Sequence, residues 1–228
     1  MLEPRSQPVS GMLHQAGART WAKAIGHPMV QAIADGSLPH ETFRRYFEQN
    51  VLYLQDYARA IALIASKVPD REALTILSRF LGQIVEHEIP ANLSFLERLG
   101  GDPAAPGGAG SLKPAAYAYT RHLLAVSAQG DAAEGLAAVL PCQWSYGEIA
   151  GRLMASAPAD PIYTDWIKMF GSEDYGALVE QSTALLDRLA NPADEARMAS
   201  LSRIFDRSTQ YEVAFWDMAY SDPDPAHP

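Results

Sequence analysis

The chain of 228 residues is 48% hydrophobic and 20% charged, so it can bury a substantial core and is not expected to be disordered. Its formal net charge of −9 argues against a nucleic-acid partner, which would require a basic face. The single cysteine rules out an internal disulfide and fits the reducing cytoplasm, where we expect the protein. Segment 1–26 lacks the apolar run of a signal peptide, and no segment reaches the roughly 18 apolar residues that predict a membrane span.

Almost every segment has helical spacing, and no alternating run bounded by turns predicts a strand. In chain order, helices are expected at about 8–25, 28–35, 40–67, 71–99, 114–127, 131–156, 162–170, 172–190 and 193–219. Pro90 should kink the fourth of these, and the Gly/Pro/Ala-rich stretch 100–110 should be a surface loop. Residues 1–228 are therefore predicted to form one all-α domain, with a core at about 8–220 and a frayed tail at 221–228.

The stretch Pro141-Cys142, around the only cysteine, is the first candidate for chemistry. Proline favours the start of a helix, or a kink inside one. At a helix start, free backbone N–H groups and the helix dipole would lower the pKa of the thiol and raise its thiolate fraction. Tyr146, one turn later, would place a hydroxyl beside the sulfur. The alternative is a cysteine that simply fills core space.

One face of the helix at 40–67 carries four side chains with polar tips. They follow one another at i, i+4, i+7 and i+11: Tyr46, Asn50, Tyr53 and Tyr57. Three hydroxyl-bearing rings and a carboxamide suit a flat polar ligand that needs stacking and hydrogen bonds at its edge. The alternatives are a core stripe whose hydroxyls are satisfied locally, or an interface patch.

The last helix places a carboxylate, Glu212, on an apolar face with Phe215 and Trp216. Burying an unpaired carboxylate costs several kcal/mol, so such a residue is usually paired, protonated or functional. A raised pKa would suit general-acid work near neutral pH, while a salt bridge or a capping role near the surface is the alternative. On the helix from 114, Tyr117 and Tyr119 point in different directions, so at most one of them can face a given pocket.

The histidines do not predict a metal site. None has another histidine three or four positions away, and no Glu-x-x-His or His-x-x-Glu pair is present. The run Glu86-His87-Glu88 is expected to be a solvated helix face, because neighbouring residues on a helix point apart. There is also no glycine-rich nucleotide-binding motif, so we expect neither a metal nor another cofactor.

Six motifs follow one another between about Trp21 and Tyr220. They are HPxVQxIxDGxLP at 27–39, FxxYxxQNxxYL at 43–54, AYxYT at 116–120, LPCxWxY at 140–146, PIYxxWI at 161–167 and YExxFWxMAY at 211–220. In this order they resemble the motifs of the TenA family, also called thiaminase II or aminopyrimidine aminohydrolase. The resemblance covers nearly the whole chain, which makes it far more specific than any single motif.

The resemblance implies an all-α helical bundle of the haem-oxygenase-like type, normally without haem or metal and usually a homotetramer. It also implies a small-molecule substrate, thiamin or its aminomethyl-pyrimidine breakdown product, which is hydrolysed to 4-amino-5-hydroxymethyl-2-methylpyrimidine. By the same resemblance, Cys142 is the nucleophile that adds to the ring and Glu212 is the acid that protonates the ring nitrogen. Tyr53, Tyr119 and Tyr146 match positions that line the family's pocket.

Two positions depart from the family pattern. Asn50 stands where the cysteine-dependent branch usually has aspartate, and Phe170 stands where it usually has tyrosine. Asn50 would still match an amino group beside a ring nitrogen, because a carboxamide gives and accepts a hydrogen bond, but it supplies no charge. Phe170 lacks a hydroxyl, a loss of about 1–3 kcal/mol if the partner stays buried and unpaired. The alternative to a thiamin-salvage hydrolase is therefore a non-catalytic pyrimidine-binding or regulatory member of the family.

Overall fold

The computed structural model describes residues 7–106, 111–156, 158–190 and 194–221, which form α-helices and connecting turns without any β-strand. In chain order the helices are α1 (Val9–Ala16), α2 (Ala18–Ile25), α3 (Pro28–Asp35), α4 (His40–Ala65), α5 (Arg71–Gly82), α6 (Ile89–Arg98), α7 (Pro114–Gln129), α8 (Ala132–Leu153), α9 (Pro161–Phe170), α10 (Glu173–Ala190) and α11 (Glu195–Ser221). A π-helical turn, Gln83–Glu88, joins α5 to α6. Of the expected tail only Ser221 is described, and residues 107–110 of the expected loop also lie outside the described ranges.

Two of the expected helices are divided. The first breaks at Gly17, whose backbone leaves helical geometry at φ −89° and ψ 5°. Glycine favours such a break because it loses more conformational entropy in a helix than other residues do. The second is interrupted by the π-helical turn just before Pro90. Proline has no N–H to donate and its ring crowds the carbonyl four residues earlier, so the wider turn accommodates the kink that was expected there.

Helix α8 occupies the centre of the bundle and packs against α4, α7, α10 and α11. From Leu136 to Pro141 every residue of this helix is apolar and buried, the pattern of a helix that is enclosed on every side. A capping box holds its first turn, in which the Asp131 side chain accepts from the Glu134 N–H and the Glu134 carboxylate accepts from the Asp131 N–H. None of the described helices is long and apolar enough to cross a membrane.

Candidate active site

A narrow cavity of about 10 Å³, room for about one water molecule, lies where α4, α5, the π-helical turn, α8, α9 and α10 meet. Its walls are formed by Asn50, Leu54, Tyr57, Phe80, Glu88, Cys142, Gln143, Tyr146, Phe170 and Tyr175. Of the seven residues singled out through the family resemblance, the structure brings four to one space: Asn50, Cys142, Tyr146 and Phe170. The other three, Tyr53, Tyr119 and Glu212, are not part of this lining and gather around Cys142 instead.

Cys142 lies inside α8, which continues through Pro141 without a break. Of the two alternatives at this proline, the helix start is wrong, and the helix expected at 131–156 runs through it, so neither free N–H groups nor a helix terminus act on the thiol. Burial, followed by the nearby Glu212 charge, raises the pKa of the Cys142 thiol well above its usual value. The expectation of a lowered thiol pKa is therefore also wrong, and the resting side chain is a neutral thiol.

Glu212 lies on α11 with 2% of its surface exposed, and the Tyr119 hydroxyl donates a hydrogen bond of 2.6 Å to its Oε1. Burial raises the pKa of Glu212 to about 7, while hydrogen bonds from Tyr119 and Cys142 oppose the rise. Glu212 can therefore take up or release a proton near neutral pH. Of the two tyrosines on α7, only Tyr119 faces this group, since Tyr117 is exposed.

The tyrosine face of α4 is buried, and its hydroxyls divide into two kinds. The hydroxyls of Tyr46 and Tyr146 share a hydrogen bond of 2.9 Å, and the Tyr57 hydroxyl donates to the Val139 carbonyl over 2.8 Å. These two positions fit the core-stripe alternative. The Tyr53 hydroxyl is buried without a hydrogen bond of good geometry, yet it lies near enough to Cys142 to oppose the rise in the thiol pKa. We call Cys142, Glu212, Tyr119 and Tyr53 the thiol end.

A second polar group is built on the π-helical turn and α6. The Asn50 carboxamide donates a hydrogen bond of 2.8 Å from Nδ2 to Asn92 Oδ1, and Asn92 Nδ2 donates to the Glu88 backbone carbonyl over 2.7 Å. The Glu88 side chain is 6% exposed and lines the cavity, and burial raises its pKa to about 8. We call Asn50, Asn92 and Glu88 the amide end.

The expectation of a solvated face at Glu86-His87-Glu88 is wrong for Glu88, although Glu86 and His87 are exposed. A π-helical turn has more residues per turn than an α-helix, so it changes which side chains point to the core. The four-residue spacing between Glu88 and Asn92 is the one signal in the sequence that could have indicated a shared polar face.

Another polar group of the wall is Gln143, for which the sequence predicted no role. Its side chain is 1% exposed, and both Nε2 and Oε1 are buried without a hydrogen-bond partner. Next to it, the Phe170 ring packs against Tyr146 and Tyr175 at centroid distances of 5.0 and 5.2 Å. The cavity wall therefore offers a free carboxamide beside a tight aromatic cluster.

Across the described ranges, no three His, Cys, Asp or Glu side chains are grouped so that they could hold a metal ion. The arrangement instead pairs a thiol with one buried carboxyl at the thiol end, and places a second buried carboxyl in the same cavity wall as the thiol. Such a pairing is suited to nucleophilic addition with proton transfer to a small polar ring.

Comparison with known proteins gives one consistent family. The TENA/THI-4/PQQC family matches residues 14–222. An aminopyrimidine aminohydrolase of Halalkalibacterium halodurans is 34% identical over 214 residues, with 92% of this chain and 94% of that protein covered. A protein of the same name from Bacillus subtilis is 33% identical over 205 residues, with 90% and 86% covered.

Solved structures agree with the architecture. A TenA family transcription regulator from a Silicibacter species superposes with a TM-score of 0.88 at 29% identity, with 97% of this chain and 100% of that chain covered. A domain with a heme oxygenase-like fold from Shewanella denitrificans gives a TM-score of 0.71 at 17% identity, covering 92% and 91%. The expected all-α, haem-oxygenase-like bundle is confirmed.

Proposed function

Because the chain belongs to the TENA/THI-4/PQQC family, we propose that it is an aminopyrimidine aminohydrolase of thiamin salvage. The reaction releases 4-amino-5-hydroxymethyl-2-methylpyrimidine from a 5-substituted 4-amino-2-methylpyrimidine. The observation that carries the proposal is the contact between a thiol and a carboxyl: Cys142 lines the cavity, and Glu212 lies close enough to hydrogen-bond with it. The names of the two bacterial aminohydrolases support the same activity.

The first step is a proton-coupled addition. The resting thiol is protonated and Glu212 titrates near 7, so Sγ passes its proton to the Glu212 carboxylate as it attacks. The bond forms at the ring carbon next to the substituted position, and the displaced electron pair moves to the ring nitrogen, which takes the proton from Glu212. The total charge of the buried group stays constant, which avoids the cost of an isolated thiolate.

The later steps follow from the same adduct. The ring nitrogen returns its proton to Glu212 while its electrons expel the amine from the exocyclic carbon, and water adds to that carbon and gives a proton to the released amine. Loss of the cysteine then restores the aromatic ring, and Sγ takes back the proton from Glu212. Glu212 handles the proton in both directions, and the Tyr119 hydroxyl holds its Oε1 in place.

The substrate ring is assigned to the cavity wall. One amide hydrogen and the Oδ1 of Asn50 are not used by the bond to Asn92, so they can meet an amino group and a neighbouring ring nitrogen. We assign stacking and hydrogen-bonding contacts to Tyr53, Tyr119 and Tyr146, and an apolar wall to Phe170, by their correspondence to the family's pocket. The same correspondence leads us to propose a single-domain, cytoplasmic homotetramer.

The test is a panel of thiamin and its aminopyrimidine breakdown products, scored for release of hydroxymethyl-pyrimidine. The native protein should hydrolyse the aminomethyl-pyrimidine, and Cys142→Ser should lower the rate by about 1,000-fold or more, because an alcohol is a far weaker nucleophile. The variant should keep its melting temperature, since the two side chains are of similar size. An unimpaired variant would contradict the mechanism.

A second candidate function is a non-catalytic pyrimidine-binding or regulatory protein, favoured by the neutral resting thiol and by the uncharged Asn50. It predicts binding of hydroxymethyl-pyrimidine without turnover of any member of the panel. A steady-state rate on any of these compounds would exclude it.

A further inference from the structure

Glu88 is a buried carboxyl that takes no part in the proposed addition steps. Its side chain lines the cavity, and the Gln83 carboxamide is the side chain that hydrogen-bonds to it. No described lysine, arginine or histidine forms an ion pair with it. A buried carboxyl without a cation is expensive to ionise, so it stays protonated at neutral pH while the cavity is empty, in line with its pKa of about 8.

The groups that face Glu88 across the cavity carry no positive charge. They come from three helices: Asn50 and Tyr57 on α4, Cys142, Gln143 and Tyr146 on α8, and Tyr175 on α10. Burial raises the pKa of the thiol and of these tyrosines, so all of them are neutral at pH 7. The Gln143 Oε1 is an acceptor without a donor among the described residues. The wall is thus complementary to a donor that carries positive charge.

We propose that Glu88 and Gln143 form a subsite for the positively charged 5-substituent of the pyrimidine, and this assignment rests on the proposed function. The aminomethyl group is a primary ammonium at neutral pH, and the thiazolium of thiamin also carries a positive charge. The hydroxymethyl group of the product is neutral. Glu88 therefore distinguishes substrate from product by the charge of the 5-substituent, because the pyrimidine ring is the same in both.

The ionised Glu88 of an occupied subsite does not oppose the nucleophile. The Glu88 charge is one of the causes that raise the pKa of the Cys142 thiol. A cation held beside Glu88 offsets that charge, so an ionised Glu88 no longer opposes thiolate formation. Binding of the ammonium makes Glu88 give up its proton to solvent, which makes the assignment measurable without turnover.

The experiment uses calorimetric titration of the full chain at pH 7 in two buffers of different ionisation enthalpy, with Cys142→Ser as the background that prevents turnover. The probes are the aminomethyl-pyrimidine and the hydroxymethyl-pyrimidine, which share one ring. The background protein should bind the aminomethyl compound about 10-fold or more tighter and release about one proton, which the hydroxymethyl compound should not do. Because Glu212 meets the same ring in both complexes, the difference between probes isolates the substituent.

Adding Glu88→Gln to the Cys142→Ser background should remove both the proton release and most of the preference for the aminomethyl compound. Adding Glu86→Gln instead removes a charge from the same turn at an exposed position and should change neither. A preference or a proton release that survives Glu88→Gln would overturn the subsite, as would their absence from the background protein. If the background protein binds neither pyrimidine and the native protein releases no hydroxymethyl-pyrimidine from the aminomethyl compound, the proposed function fails together with the subsite.

Discussion

The thiol end and the amide end each contain a buried carboxyl whose pKa is raised by burial, but the two carboxyls differ in their partners. Glu212 receives hydrogen bonds from the Tyr119 hydroxyl and the Cys142 thiol, which bring its pKa back to about 7. Among the described residues, Gln83 alone hydrogen-bonds to the Glu88 side chain, and the pKa of Glu88 stands at about 8. A carboxyl that accepts hydrogen bonds from the protein is suited to carrying a proton. A carboxyl without a counter-charge is suited to binding a ligand that supplies the positive charge.

The largest expected effect concerns the thiol end. Glu212→Gln keeps the shape of the side chain but cannot accept a proton, so kcat/KM should fall by about 100- to 10,000-fold. In the native enzyme kcat/KM should rise with pH through about 7, as the Glu212 carboxylate becomes populated and able to take the thiol proton. Rate measurements from pH 5.5 to 8.5 check both statements.

Tyr119→Phe is the matched control for this profile. It removes the hydrogen bond that lowers the pKa of Glu212, so the rising limb should move to higher pH while part of the activity remains. If Glu212→Gln retained the rise of kcat/KM with pH that the native enzyme shows, that rise would come from the titration of another group. The role of Glu212 as proton acceptor would then be wrong.

The next effect concerns stability and the amide end. Because the pKa of Glu88 rises from 4.5 unfolded to about 8 folded, its favourable contribution is complete below pH 4.5 and is lost as the pH rises to about 8. Between pH 6 and pH 9, ionisation of Glu88 should lower the free energy of unfolding of the native chain by about 2–3 kcal/mol. Glu88→Gln should remove this part of the pH dependence. Urea unfolding at the two pH values measures this, and Glu86→Gln should behave like the native chain.

A smaller effect is expected when the uncharged Asn50 of the amide end is replaced by the aspartate that is usual in the family. Asn50→Asp places a carboxylate oxygen against Asn92 Oδ1, an acceptor facing an acceptor, and should cost about 1–2 kcal/mol of unfolding free energy at pH 8. At pH 5 the introduced carboxyl can be protonated and donate, so the loss should shrink. An equal loss at both pH values would show that the pair contributes through packing alone.

The two ends were not equally predictable from the sequence. Glu212 could be placed on a buried face because α11 is a regular helix in which the i, i+3 and i+4 rule holds. For Glu88 the expectation of a solvated face shared with its neighbours failed, because the π-helical turn changes the angle between successive side chains. The thiol pKa was predicted in the wrong direction because Pro141 marks no helix end: the bundle encloses α8 and holds it continuous through the proline.

The helices themselves followed from apolar spacing, but their interruptions did not. Gly17 ends α1, whereas Gly135 lies inside an unbroken α8, where an added Cβ would come within 2.5 Å of Ile64 Cγ1. Gly17 interrupts a helix, whereas Gly135 permits close contact between α4 and α8. Only the tertiary packing distinguishes them, so a single sequence cannot.

The π-helical turn also makes this part of the fold sensitive to chain length. It amounts to one extra residue accommodated between α5 and α6, and Val85 within it is largely exposed. Deleting a single residue such as Val85 would close the wide turn to α-helical geometry, and the five remaining residues would turn the chain about as far as the six do now, so α6 would keep its facing. The same three-nucleotide deletion in the gene would set the Pro90 ring against the carbonyl four residues earlier, which the wide turn now avoids.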